Sequence, residues 1–383
     1  MRLLLCIILI LILAVPGFAC AEDVWMLVLN VGKGDAILVG VDDTVCLIDT
    51  GYPYVRGRIL AGMSRMGVTS LDSVMITHTD KDHVGGLEWL ADSDIPVNSW
   101  YASAYYMDVK ESKHPLKKAA QARGKEEKWL KAGDRVSLGS AVLSVLGPVE
   151  EADDKDDNNS LVMMLETREG KILLAGDMEE VEEETLLDAG VLLKTDVLKV
   201  GNHGDDDATG KAFAQEAAPS LSVISTSPAE KPGTPSPEVV ERLRKLGSTV
   251  VCTVDSGLGI LVRLSGGKAS WEYVDMPGTD AVSLVSIRSV DADHDIIELF
   301  NSGNTEADMT DAYLYSETGS EMMVFPSGTV IPAGGTLRVG TLSSDREADV
   351  VWQDKKVIHA KKADTVMLYD AAGRMVSSMD NGR

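Results

Sequence analysis

Through the first two thirds of the chain, apolar residues come in short, nearly unbroken runs set between glycines and polar pairs. The runs Trp25 to Leu29, Ala36 to Val39 and Val45 to Ile48 are too short for helices. Punctuated by Gly32, Gly34 and Gly40, they predict strands. The same pattern predicts strands at Ser73 to Thr77, Val136 to Leu138, Val142 to Leu146, Leu161 to Leu165 and Ile172 to Ala175. It recurs at Val197 to Val200, Leu221 to Ser225, Val250 to Val254 and Ile260 to Leu264. Between them, helices are predicted at Val55 to Met66, Leu87 to Ala91, Lys113 to Arg123 and Glu179 to Leu187. Another opens at Ser236-Pro237-Glu238, with serine as cap and proline in the first turn, and Gly247 closes it. Met276-Pro277-Gly278-Thr279 reads as a linker. From Ala281 onward the strands are short and alternating, with no long helical pattern, which predicts an all-β sandwich.

Residues 1–21 read as an export signal. Arg2 precedes an apolar run from Leu3 to Val15, shorter than the roughly 20 residues that span a bilayer. Ala19-Cys20-Ala21 fits cleavage after Ala21; lipidation of Cys20 and retention of the segment as an anchor are the alternatives. Each places the rest of the chain outside the cytoplasm, secreted or held at the cell surface.

The 383 residues carry 36 basic and 60 acidic side chains, a formal charge of −24, with 44% hydrophobic and 25% charged residues. These proportions exclude a disordered chain, a collagen-like repeat and a disulfide-dense miniprotein. The acidic balance argues against a coat protein that neutralises phosphates over a broad face. Lys110 to Lys131 is the most basic stretch; it reads either as an electrostatic guide for a polyanion or as a solvated helical face. Cys46 and Cys252 each sit in an apolar run and are expected as two separate buried thiols rather than a disulfide.

The densest chemistry lies at His78-Thr79-Asp80-Lys81-Asp82-His83-Val84-Gly85-Gly86, between a predicted strand and a predicted helix. Four potential metal ligands fall within six residues, on a loop whose backbone can aim them at one point. His114, His294 and His359 sit in polar or lysine-rich contexts and are expected at the surface.

That segment resembles the HxHxDH motif of the metallo-β-lactamase fold hydrolases in its HxDxDH form. From about Trp25 to Glu272 the chain is similar to the soluble nuclease-like domain of the ComEC competence proteins. Val31-Gly32-Lys33-Gly34-Asp35-Ala36, Leu47-Ile48-Asp49-Thr50-Gly51, Asn158-Asn159-Ser160-Leu161-Val162, Leu174-Ala175-Gly176-Asp177, Lys199-Val200-Gly201-Asn202-His203-Gly204 and Thr234-Pro235-Ser236-Pro237-Glu238 resemble that family's motifs in order and spacing. The resemblance implies an α/β fold, an αββα sandwich over residues 22–276. It implies two divalent ions that activate a hydroxide against a phosphodiester. His78 and Asp80 would hold one ion, Asp82, His83 and His203 the second, and Asp177 would bridge them. Asp82, Asp177 and His203 are the expected catalytic set. Asp49 and Asn202 would support the ligands from behind, while Asn158, Asn159, Ser160 and Thr234 are candidate substrate contacts.

Some positions depart from the family. Asn202 stands where a second histidine is usual, Thr234 replaces a histidine before Pro-Ser-Pro-Glu, and Lys33 replaces a glutamine. Asp205-Asp206-Asp207 replaces a serine-rich stretch and reads as a solvated loop. The oxygen-rich donor set favours Mn²⁺, with Zn²⁺ or Mg²⁺ as alternatives. Residues 281–383 resemble a lamin-tail domain, an immunoglobulin-like sandwich, through Ile297-Glu298-Leu299-Phe300-Asn301, Val324-Phe325-Pro326-Ser327-Gly328-Thr329 and Asp364-Thr365-Val366-Met367-Leu368-Tyr369-Asp370. Such a module implies attachment to a cell surface or wall. The expected function is an exported phosphodiesterase or nuclease acting on DNA or nucleotides. Hydrolysis of another ester (a cell-wall polymer, phospholipid or lactone) and a degenerate polymer-binding protein are the alternatives.

Overall fold

The computed structural model describes residues 22–106, 109–152, 156–278 and 281–383, and the expected leader at 1–21 lies outside the described residues. β1 (Val24–Leu29) is buried along its whole length and lies between β2 (Ile37–Val41) and, later in the chain, β14 (Gly259–Ser265). β3 (Thr44–Ile48) pairs with β2 and is followed by α1 (Arg56–Arg65) and β4 (Leu71–Ile76), parallel to β3. Then come α2 (Lys81–Val84), α3 (Leu87–Asp92), β5 (Val97–Ser103), α4 (Pro115–Ala122) and β6 (Glu127–Leu130). With β15 (Lys268–Val274) on the outer side of β14, they form a sheet ordered β15-β14-β1-β2-β3-β4-β5-β6.

A second sheet is built from the middle of the chain. It uses β7 (Arg135–Leu138), β8 (Ala141–Gly147), β9 (Val162–Glu166), β10 (Lys171–Leu174), β11 (Val197–Lys199), β12 (Leu221–Ile224) and β13 (Thr249–Cys252). Its parallel crossovers pass through α5 (Glu180–Asp188), α6 (Lys211–Ala217) and α7 (Pro237–Lys245).

Strand β1 shows why these runs are apolar on both faces. Val24, Met26 and Val28 point into a core shared with Leu143, Met163, Leu165 and Val223 of the second sheet. Trp25, Leu27 and Leu29 point the other way, toward Ile59, Leu90 and Leu116 of the outer helices. A third cluster joins the far face of the second sheet to Phe213, Val239 and Leu243. The order is helices, sheet, sheet, helices, and strands covered on both sides read as continuous hydrophobic runs.

Several elements were invisible in the pattern. β5, β6 and β15 are edge or near-edge strands with polar residues on one face, and α6 buries only Phe213, Ala214 and Ala217. The basic helix starts at Pro115 and buries Leu116, Ala119 and Ala120, so half of it is packed. His114 corrects an expectation. It is buried at the start of that helix, between the rings of Tyr106 and Trp129, each 4.9 Å away. Cys46 is buried between the sheets and Cys252 is half-buried; both thiols are free.

The C-terminal part pairs Val285–Asp291, Ile296–Asn301, Thr336–Thr341 and Val350–Trp352 in one sheet. Met322–Val324, Tyr313–Ser316, Thr365–Tyr369 and Met375–Asp380 make the other. Leu299, Leu314, Phe325, Trp352 and Leu368 fill the space between. This sandwich is docked on the first unit. The Tyr313 hydroxyl donates to the Tyr54 carbonyl (2.6 Å), and Arg374 Nη2 donates to the Pro277 carbonyl (2.8 Å). Among the described residues no helix is long and apolar enough to cross a membrane.

Candidate metal centre

Every side chain of the candidate site leaves the end of a strand. β3 ends in Asp49, which adopts φ +56°, a left-handed conformation unusual for a residue with a Cβ. β4 ends in Thr77, followed by the histidine–aspartate loop and α2. β10 leads to Asp177 and β11 to Asn202 and His203, at φ +39° and +54°. Three left-handed non-glycine residues at one place indicate backbone held by its surroundings to aim side chains. Gly34 lets the β1–β2 loop lie against α2: a Cβ there would sit 2.6 Å from the Asp82 carbonyl oxygen.

Hydrogen bonds fix the tautomer of each histidine. Asp49 Oδ2 accepts from His83 Nδ1 at 2.8 Å, and from the Thr77 hydroxyl at 2.7 Å. With its proton given to Asp49, Thr77 Oγ1 can only accept from His78 Nδ1, 3.0 Å away. His203 Nδ1 lies 3.0 Å from the Ser225 carbonyl, which can only accept. All three Nδ1 atoms therefore carry the proton, and all three Nε2 atoms present bare lone pairs.

Those lone pairs converge. His83 Nε2 and His203 Nε2 lie 3.2 and 3.0 Å from Asp177 Oδ2, and Asp82 Oδ2 is 3.9 Å from His203 Nε2. The rings of His78 and His83 are 4.1 Å apart. His78 Nε2, His83 Nε2, His203 Nε2 and Asp177 Oδ1 are all buried without a hydrogen-bond partner. A buried polar atom with no partner costs about 1–3 kcal/mol, so four in one spot need a ligand that accepts lone pairs. Asp82, His83, Asp177 and His203 can place one ligand atom each within 4.8 Å of the others, and so can His78, Asp80 and Asp157. The donor set fits divalent metal ions.

The electrostatics agree. Burial alone would lower the pKa of His83, but the carboxylates of Asp177 and Asp49 override it and raise it, so this spot favours a cation. Burial would raise Asp177, yet the imidazoles of His203 and His83 hold it well below the usual carboxylate range. His78 is pushed down by burial and by His83. Asp157 is pushed up to about 7 by burial and by Asp177 and Asp80. The pocket favours positive charge between its carboxylates.

Six expected ligands, His78, Asp80, Asp82, His83, Asp177 and His203, thus surround one pocket, with Asp49 behind His83. Several neighbours had no role in the sequence pattern. Asp157 joins His78 and Asp80. Asp156 caps the ligand loop by accepting from the Thr79 N–H (2.9 Å) and hydroxyl (2.5 Å). Behind His203, the Ser225 hydroxyl donates to Asp35, which is paired at 2.7 Å with a fully buried ammonium, Lys199. Asp35 and Lys199 stand inside recognised motifs; their pairing could have been inferred from two buried-looking charges of opposite sign. Lys33 Nζ lies 2.6 Å from Asp82 Oδ2.

The expected substrate contacts are engaged within the protein. Ser160 is buried; its hydroxyl lies 3.1 Å from His78 Nδ1 and accepts from the Asp177 N–H (3.1 Å). It positions two ligands. Asn159 ties down Ala152 through both amide atoms, and Asn158 accepts from the Glu179 N–H (3.2 Å). Thr234 accepts from the Thr226 hydroxyl (2.9 Å) and donates to the Lys231 carbonyl (2.8 Å). Asn202 donates its amide to Glu179 Oε1 (3.5 Å) and Asp207 Oδ1 (3.2 Å). The Asp205–Asp207 loop is held by this contact and by Lys231 on Asp205.

Residues 29–227 match the model of the metallo-beta-lactamase superfamily, and residues 279–383 match that of the lamin tail domain. The chain is 27% identical over 270 residues to ComE operon protein 3 of Bacillus subtilis, covering 66% of this chain and 34% of that protein. It is 27% identical over 246 residues to competence protein ComA of Neisseria gonorrhoeae, covering 64% of this chain and 32% of that one. The chain thus spans about a third of the length of the curated relatives it matches. Among solved structures, it resembles the metallo-beta-lactamase fold protein YhfI of Bacillus subtilis, with a TM-score of 0.38 and 12% identity, over 65% of this chain and 100% of that one. With a family match over more than half its length, on the layers and ligand loops described above, the chain belongs to the metallo-beta-lactamase superfamily.

Proposed function

We propose that this protein is an exported, metal-dependent phosphodiesterase or nuclease acting on extracellular DNA or nucleotides. The observation that carries the reading is the convergence of three bare imidazole nitrogens and an unpartnered carboxylate oxygen in one buried pocket. Similarity to competence proteins supports a phosphodiester as substrate. Two divalent ions, Mn²⁺ first and Zn²⁺ or Mg²⁺ next, would polarise the phosphoryl oxygen and lower the pKa of water.

His78, Asp80 and Asp157 would hold one ion and Asp82, His83 and His203 the other, with Asp177 between them. Asp49, Thr77 and Ser160 keep the imidazole protons on the far side, so that the lone pairs stay turned inward. The Asp35–Lys199 pair and Ser225 do the same for His203. Lys33, paired with Asp82 Oδ2 at 2.6 Å, sets the charge beside an expected ligand. Electrostatic guidance by the basic stretch is weakened by local pairing, since Lys117 is bound to Glu111 (2.5 Å) and Glu127 (3.1 Å). The C-terminal sandwich would attach the enzyme to a cell surface or wall.

The charge of −24 favours a second reading, hydrolysis of a shorter or less anionic ester, because a long polyanion would be repelled. Purified protein incubated with Mn²⁺ should bind metal and cleave both methyl p-nitrophenyl phosphate and DNA. Asp82→Ala should lower turnover by at least ~100-fold, a loss of ~2.7 kcal/mol of transition-state stabilisation. Turnover of the small diester with DNA untouched would select the second reading, and absence of both metal and turnover would overturn the hydrolase.

A further inference from the structure

A groove of about 560 Å³ runs along the junction of the two domains and is walled by both. Lys81, between two expected ligands, and Gly32, next to Lys33, line it from the first domain; Tyr315 and Tyr369 line it from the second. A ladder of parallel rings crosses the junction. Tyr52 stacks on Tyr54 (5.3 Å, 7°), Tyr54 on Tyr369 (5.9 Å, 11°) and Tyr369 on Tyr313 (5.0 Å, 9°). The inner rungs hold the junction together, since Tyr313 is fully buried and its hydroxyl anchors the two domains through Tyr54.

Tyr52 is different. It is half-buried, it lines the groove, and among the described residues no ring other than Tyr54 stacks on it. It follows the Asp49–Gly51 turn that braces His83. Lys33, next to Gly32 in the groove wall, reaches Asp82 Oδ2 at 2.6 Å, so this end of the groove abuts an expected ligand. Lys81 holds Ser320 of the second domain at 2.7 Å, and the Glu230 carboxylate is fixed at the rim by the Lys33 N–H (3.0 Å). The groove thus offers the Lys81 ammonium at its ligand end, an aromatic face beside it, and the Glu230 and Glu317 carboxylates as hydrogen-bond acceptors.

We propose that this groove is a nucleoside subsite, in which the base of a nucleotide phosphodiester stacks on Tyr52 while its phosphate reaches the pocket, so that the C-terminal domain forms one wall of the substrate site. The proposal rests on the phosphodiesterase reading and extends it. A flat π-face accepts any base, and the cavity lies in the range that encloses small ligands. The sandwich then does more than attach the enzyme.

The test compares thymidine 5′-(p-nitrophenyl phosphate) with methyl p-nitrophenyl phosphate on the purified full chain. Tyr52→Ala should lower the ratio of their kcat/KM values about tenfold, from lost stacking, while Tyr52→Trp should preserve it. Thymidine 5′-monophosphate should also bind the metal-free protein, with an affinity about tenfold weaker in Tyr52→Ala, by titration calorimetry. An unchanged ratio with both esters cleaved would overturn the subsite and leave the hydrolase standing. Binding that depends on Tyr52 without cleavage of either ester would support the subsite and sink the hydrolase.

Discussion

At the scale of single residues, two buried histidines show that environment, not burial alone, sets charge. His83 lies between Asp49 and Asp177, whose carboxylates raise its pKa against the effect of burial and so favour a cation beside its Nε2. His114 sits against two aromatic rings, where burial lowers its pKa to about 4 and the nearby Asp156 and Glu127 only partly offset the fall. In the unfolded chain the same group titrates near 6.5. Between these values the unfolded chain binds a proton that the folded chain refuses. Stability from this site is therefore full above pH 6.5 and is lost as the pH falls toward 4. Between pH 7 and pH 5 the native protein should lose about 2 kcal/mol through this one group. Urea unfolding of wild type and His114→Phe at both pH values checks it. The variant should lack that part of the acid-side loss, and equal losses in both proteins would remove His114 as the cause.

At the scale of elements, the meeting of α1 with the C-terminal sandwich depends on one missing side chain. Gly57 lies in α1, and a Cβ there would fall 2.3 Å from the Gly373 nitrogen and 2.8 Å from the Ala371 carbonyl oxygen. Helix propensity alone favours Gly57→Ala by about 1 kcal/mol. Overpacking against backbone that cannot give way costs about 1–3 kcal/mol and should win. Gly57→Ala should thus be net destabilising and should speed limited proteolysis at the 276–279 linker; slower cleavage would mean that the domains are not packed on this helix. The sequence pattern carried the central strands because β1, β2 and β3 are covered on both faces. It lost β5, β6 and β15, where one face is polar. The ligand loop was legible because His78, Asp80, Asp82 and His83 crowd six positions, whereas Asp157 was hidden in an acidic run that carries no metal-binding pattern of its own. Asn158, Asn159, Ser160 and Thr234 show that a motif fixes residue identity but not side-chain direction, since here each turns inward.

At the scale of the whole molecule, the ligand pocket is a joint between two halves of the first domain. His78, Asp80, Asp82 and His83 come from the end of a strand in one sheet, and Asp177 and His203 follow strands of the other. The Leu161 N–H to Thr77 carbonyl bond (3.1 Å) and the Lys199–Asp35 pair cross the same seam. Far from this end the sheets are held by the apolar core, while at this end they meet through charge. Ion binding should therefore act on folding as well as chemistry, because only the folded chain brings both sets of ligands together. At a free ion concentration 100 times its Kd, one site adds about 2.7 kcal/mol. In a domain of this size that raises the melting temperature by roughly 5–10 °C. Calorimetric scans with EDTA and with Mn²⁺ or Zn²⁺ should show that shift in the transition of the first domain. Asp177→Asn removes a carboxylate charge from the seam and should abolish most of the shift. The exposed lysines of the basic stretch give the control: Lys125→Ala should keep it whole. A melting temperature indifferent to both ions would mean that the buried lone pairs of His78, His83 and His203 do not meet at a metal site.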